Sequence, residues 1–160
     1  MIRDAAVYFL NRLVLQPAGW APFDASFDLD SDDWIKEAPN GAGVYVLYTP
    51  RHFYMLPGGS SSVLYIGKGT SREGIRRRLR EHQRFAREVR DGAYDRGYAR
   101  YEWIVAHPAR AAYVAAPSAE ADAVAIEHHL LLTFADAFRV APLGNAQSAW
   151  AEEEETRDEA

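Results

Sequence analysis

The sequence predicts an α+β domain in which a small central sheet of about three strands, antiparallel or mixed, is flanked by helices and preceded by an extra N-terminal helix. Three observations predict it. Two runs rich in Val, Ile, Leu and Tyr, GVYVLYT from Gly43 and VLYIG from Val63, are bounded by glycine-bearing turns, as short buried strands are. Between Arg72 and Val89 the period changes: Ile75, Leu79, His82, Ala86 and Val89 recur at steps of three and four, the spacing of one helix face. Finally, a chain of 160 residues that is 48% apolar can bury one proper core and has no need of a second domain.

In chain order, the N-terminal MIRDAAVYFLNRLVL is an amphipathic helix. Asp4 and Arg12 interrupt its apolar run, so it fits neither a secretory signal nor a membrane span. Trp20 and Phe23 pin the mixed Pro, Gly and aromatic segment that follows, and residues 1–40 form a helix and ordered loop packed on the domain. The strand at Gly43 and the strand at Val63 pair as an antiparallel hairpin with an enlarged loop, PRHFYMLPGGSSS. The helix from Arg72 ends at Asp91 and Gly92. ARYEWIVAH and AAYVAAP are then expected as a third strand and its hairpin partner. Pro117 and Ser118 start a long helix to about Phe134, with Glu120 and Asp122 suited to the positive end of its dipole. RVAPLGN closes the domain as a loop, and residues 151–160 form an acidic tail expected to be disordered.

The net charge of −5 argues against a nucleic-acid partner only until it is divided along the chain. The last ten residues, AEEEETRDEA, hold six acids and one arginine, so the rest is neutral. Between Lys68 and Arg100 there are eleven Lys and Arg against five Asp and Glu, a local excess that attracts a polyanion. The absence of cysteine removes disulfides, iron–sulfur ligation and thiolate zinc sites from consideration. With no membrane-spanning run, a cytoplasmic location and no membrane partner are expected.

Several side chains are placed for chemistry. Glu127 falls at the centre of the stripe made by Ala123, Leu130, Leu131 and Phe134. A carboxylate there must pair with a cation, bind a metal or open onto a cleft, because an unpaired buried charge costs several kcal/mol. Arg78 and His82 are four apart and share one helix face at the edge of the apolar stripe, where both reach the rim of a cleft. Arg76, Arg77, Arg80, Arg84 and Arg87 spread over the outer face, suited to phosphate-backbone contacts or simply to solvent. Tyr45 and Tyr65 lie on the paired strands beside glycine turns. With an ordinary pKa of about 10, a tyrosine acting as a base needs a neighbour such as Lys68 or His82 to take its proton.

The ordered set GVY (Gly43 to Tyr45), YIG (Tyr65 to Gly67), Lys68, the Arg78 and His82 pair, Glu127 on a later helix and Asn145 in PLGN resembles the GIY-YIG nuclease superfamily over Gly41 to Asn145. Their order on strand, strand, helix, helix and loop carries the likeness. The resemblance implies a GIY-YIG-like catalytic domain over residues 41–146 and hydrolysis of phosphodiester bonds in DNA, and it leaves the choice of DNA over RNA open. It implies that Glu127 holds one divalent ion, Mg2+ or Mn2+. Tyr45 would activate the attacking water and Arg78 would neutralise the scissile phosphate in the transition state. Tyr65, Lys68 and His82 would orient phosphate and water or relay the proton. Gly67, Arg76, Arg77 and Asn145 would complete the substrate side, Asn145 by fixing local geometry through hydrogen bonds.

Three departures accompany the likeness. Valine replaces isoleucine in the first motif, the connection between the two tyrosine motifs is longer than usual, and extra residues around SREG leave the choice among Arg76, Arg77 and Arg78 to register with His82. The alternatives are a catalytically inactive nucleic-acid-binding module of the same fold and an interaction domain whose arginine helix docks an acidic protein. No separate sequence-reading segment is visible, so specificity would be low, or come from loops, a homodimer or a partner protein.

Overall fold

The structure, a computed structural model, describes residues 4–70, 74–92, 99–116 and 120–145. The start signal at Pro117 and Ser118, most of the SREG segment and the acidic tail of residues 151–160 lie outside them.

Helix α1 (Ala5–Leu10) begins where Asp4 accepts hydrogen bonds from the backbone N–H groups of Ala6 and Val7, both at 3.0 Å. It runs on as a wider π-helical turn, Asn11–Leu15. There the Asn11 side chain bonds both backbone groups of Phe23, at 2.7 and 2.9 Å, and so fastens the following loop to the helix. Val7, Leu10, Phe23 and Trp34 from this N-terminal region are buried in the same core as the sheet.

Four antiparallel strands form the main sheet: β1 (Ser26–Asp28), β2 (Gly43–Tyr48), β5 (Val63–Gly69) and β6 (Arg110–Ala115), in the order β1-β6-β2-β5. β2 and β5 pair antiparallel as expected, Tyr45 facing Gly67 across the ladder. The central strand β2 is buried at every position, which its unbroken apolar composition allows. The enlarged loop between them is not irregular. It contains a second, two-stranded sheet, β3 (Tyr54–Leu56) and β4 (Gly59–Ser61), turned through Pro57 and Gly58.

Helix α2 (Gly74–Arg90) buries Ile75, Leu79, His82 and Ala86 and ends at Gly92 with φ +75°, a left-handed stop that glycine takes without a Cβ penalty. Its first N–H groups are already occupied: those of Ile75 and Arg76 bond the carbonyls of Gly41 and Pro39. The expected strand ARYEWIVAH is instead helix α3 (Ala99–Ala106). Its buried residues are Arg100, Tyr101 and Ile104, three and four apart, so the aromatic and β-branched run is read by a helix face and not by alternation. AAYVAAP is strand β6, as expected, but its neighbours are β1 and β2. Helix α4 (Glu120–Phe138) extends one turn past Phe134 and buries Ala123, Ile126, Leu130 and Phe134. Among the described residues no helix is long and apolar enough to cross a membrane.

The two sheet faces have different covers. Tyr45, Tyr65 and Gly67 share one face by strand parity and meet α2. Lys68 has the opposite parity and reaches Glu127 on α4. Because β5 is an edge strand, side chains from both faces can meet around its free edge.

Candidate active site

An open hollow of about 320 Å³ lies at that edge, lined by Tyr65, Gly67, Lys68, Thr70, Arg77, Arg78, Glu81 and Glu127. Three elements build it. β5 supplies Tyr65 to Thr70, α2 supplies the two arginines and Glu81, and α4 supplies Glu127. The strand is held in place by Asn145, whose side chain donates to the Ile66 carbonyl at 2.7 Å and accepts from the Ile66 N–H at 2.8 Å. Asn145 thus takes the part of a missing neighbour strand, next to the residues that line the hollow.

Glu127 is the acid stranded in the α4 stripe. Its side chain is 15% exposed and meets a lysine, Lys68, at 2.5 Å. That contact is made by Oε2, the buried oxygen, which otherwise meets no hydrogen-bond donor among the described residues. Glu81 stands across the same hollow, accepting from Arg78 at 2.6 Å and Arg77 at 3.3 Å. The hollow therefore holds three cations against two carboxylates, a small positive excess.

Tyr45 and His82 do not line the hollow. Both are buried, at 0% and 2% exposure, and form its back wall. The Tyr45 hydroxyl lies 2.8 Å from His82 Nε2, and His82 Nδ1 lies 3.2 Å from the hydroxyl of Tyr101 on α3. The expectation that His82 reaches a rim fails because its position in the stripe turns it inward, while Arg78, one turn earlier, stays half exposed. Tyr65 joins the two layers: its ring lies 6.0 Å from that of Tyr45 and 4.9 Å from His82, and it also lines the hollow. Gly67 explains how these rings fit, since a Cβ there would sit 2.5 Å from the Tyr45 ring and hydroxyl.

This wall shifts the ionisation of its members. Burial pushes the Tyr45 hydroxyl well above the ordinary tyrosine range, with the neighbouring Tyr65 adding to it. His82 is held well below the ordinary histidine value, first by burial and then by the charges of Arg100 and Arg78. Burial works against the charge of Arg78, but the oxygens of Tyr45 and Tyr65 and the Glu81 carboxylate outweigh it and raise its pKa. Tyr101 is pushed up to about 12, mainly by burial.

Arg76 is not brought to the site. Its guanidinium donates to the carbonyls of Ala38, at 2.8 Å, and Lys36, at 3.3 Å, and ties α2 to the preceding loop. Arg87 is likewise engaged, with Asp30 at 2.9 Å and Asp32 at 3.3 Å, whereas Arg80 and Arg84 stay on the exposed face. Three residues of this constellation were not anticipated. Glu81 was legible as the acid three residues after Arg78. Arg100, whose guanidinium stacks over the rings of Tyr65 at 4.7 Å and Tyr101 at 5.7 Å, and Tyr101 itself were hidden by reading α3 as a strand.

A divalent ion can be tested against this donor set. Among the described residues no three His, Asp or Glu side chains gather as a closed metal cage. A hard cation such as Mg2+ needs only one or two carboxylates when substrate phosphate and water complete its shell. Glu127, a single carboxylate on the hollow with the Lys68 ammonium 2.5 Å from its Oε2, fits that requirement, the lysine standing where a cation would be held. No protein-family model, curated protein or solved structure matches the chain.

Proposed function

We propose that this chain is a GIY-YIG-type endonuclease that hydrolyses phosphodiester bonds in DNA with one Mg2+ or Mn2+. The observation that carries the reading is the convergence on one open hollow of Tyr65, Lys68, Arg78 and Glu127, backed by the hydrogen-bonded pair of Tyr45 and His82.

Arg78 binds the non-bridging oxygens of the scissile phosphate, where a positioned guanidinium contributes most as charge builds in the transition state. Lys68 and Arg77 hold the flanking negative charge. Glu127 would hold the divalent ion, which when bound neutralises charge on the leaving oxygen. Tyr45 sits too deep to carry a stable negative charge, so it acts as a conduit: it takes a proton from the attacking water while passing its own to His82. His82, kept neutral by its surroundings, is in the form that can accept it. Arg78 links the layers electrostatically, because its charge acts on the Tyr45 hydroxyl while its side chain lines the hollow. When phosphate draws the guanidinium outward, water gains access to that hydroxyl.

The test is cleavage of plasmid, branched DNA and RNA by the wild type and by Glu127→Ala and Arg78→Ala, with Mg2+, Mn2+ or chelator. Wild type is expected to cut DNA only with metal, and both variants to stay folded and lose at least about a hundredfold in rate. Full cleavage by Glu127→Ala would remove the metal assignment. Salt-dependent DNA binding without cleavage in either metal would assign a catalytically silent module instead.

A further inference from the structure

We propose that Tyr101 is a positioning residue: its hydroxyl accepts the Nδ1 proton of His82 and so leaves the Nε2 lone pair aimed at the Tyr45 hydroxyl. The inference rests on the nuclease reading for its consequence, though not for its geometry.

A neutral imidazole has one donor and one acceptor nitrogen, and the partner of one nitrogen decides the role of the other. Two arrangements are open to the row Tyr45, His82, Tyr101, with contacts of 2.8 and 3.2 Å. The two distances choose between them. Bonds donated by a hydroxyl run shorter than those donated by an N–H, so the 2.8 Å contact suits the Tyr45 hydroxyl donating to Nε2 and the 3.2 Å contact suits an imidazole N–H donating to Tyr101. The hydroxyl hydrogen therefore points to Nε2, the imidazole proton sits on Nδ1, and Tyr101 receives it.

The groups that face His82 come from every element packed on it: Tyr45 from β2, Tyr65 from β5, Arg78 from α2, and Arg100 and Tyr101 from α3. Among the described residues, none of these groups is a carboxylate. Tyr101 is thus the neutral acceptor through which the ring can carry a proton for an instant without an anionic partner. Arg100, stacked over the Tyr101 ring, helps to fix that ring.

In the reaction, an O–H bond of water breaks and its proton goes to the Tyr45 oxygen as the Tyr45 proton passes to Nε2. The hydroxide so formed bonds to phosphorus, the bond from phosphorus to the leaving oxygen breaks, and that oxygen takes a proton from solvent. His82, now imidazolium, donates from both nitrogens, to Tyr45 and to Tyr101, until it returns its proton to water.

Tyr101→Phe removes one oxygen and keeps the ring. We expect the tautomer of His82, read from the 15N shifts of its ring, to be Nδ1–H in the wild type and to change in Tyr101→Phe. We also expect kcat to fall about tenfold to a hundredfold, short of the roughly hundredfold to ten-thousandfold that a general base supplies in full, with KM for DNA unchanged. The acid limb of the pH–rate profile should move to lower pH, because the imidazolium loses an acceptor. An Nε2–H tautomer in the wild type, or a variant with unaltered tautomer and pH profile, would overturn the assignment. A wild type that fails to cleave would fail the nuclease reading alone, since the ring shifts report on Tyr101 regardless.

Discussion

Glu81 is the residue that sets how strongly the hollow attracts phosphate. It holds Arg78 at 2.6 Å and Arg77 at 3.3 Å, the two cations nearest an incoming polyanion. Their side chains are half exposed, so each pair is worth only about 0.2–1 kcal/mol, enough to organise the arginines without locking them. Phosphate must compete with this carboxylate before Arg78 can engage it. Glu81→Gln should therefore tighten binding of duplex DNA by about twofold to tenfold at low salt, an effect of two weak ion pairs, with the gain shrinking as salt rises. Fluorescence anisotropy titrations at several ionic strengths would read it. Unchanged or weaker binding would mean that Glu81 positions the arginines more than it competes for them.

At the scale of elements, strands β2 and β5 and helix α2 could be read directly, because the pattern of their apolar residues is the pattern of their burial. Ile75, Leu79, His82 and Ala86 all face inward as their spacing requires. Helix α3 could not, since Tyr101, Trp103 and Val105 alternate as strand residues do while Val105 ends up exposed. That one misreading hid Tyr101 and Arg100 and left His82 without its second partner. Strand β1 escaped notice because three residues carry no period, and β3 and β4 because the Pro57–Gly58 turn and the glycine and serines of β4 read as loop. The price of burying His82 on α2 is a dependence of stability on pH. Its folded pKa is depressed, so the neutral form is favoured by folding and that contribution is complete above the unfolded value of about 6.5. Below about pH 6.5 the unfolded chain takes up the proton first, and stability should fall by about 1.4 kcal/mol per pH unit until the folded pKa is reached. Urea unfolding of the wild type between pH 7 and pH 5, compared with His82→Gln, would show it. Equal pH slopes in the two proteins would place the histidine outside that linkage.

For the whole molecule, the arrangement of charge matters more than its sum. The formal charge of −5 resides entirely in residues 151–160, and the remainder is neutral with its basic excess along α2 and the hollow. Several of those arginines are spent inside the protein: Arg76 on loop carbonyls, Arg87 and Arg90 on Asp30. The sequence could count the basic residues but not tell which of them fold would leave available, because their partners lie more than thirty residues away along the chain. What remains for a polyanion is the cluster of Lys68, Arg77 and Arg78 with the exposed Arg80 and Arg84. Such a modest surface is sensitive to acidic charge carried on the same chain, and residues 151–160 carry six acids against one arginine. Fields of this kind act over about 10 Å at 0.1 M salt and further in dilute buffer. A chain lacking residues 151–160 should accordingly bind duplex DNA at least about threefold more tightly in dilute buffer, through electrostatic attraction to a less negative molecule, and the advantage should vanish near 0.5 M salt, where that reach falls to a few ångströms. Equal affinities for the full and shortened chains at low salt would show that the segment stays too far from the hollow to be felt there.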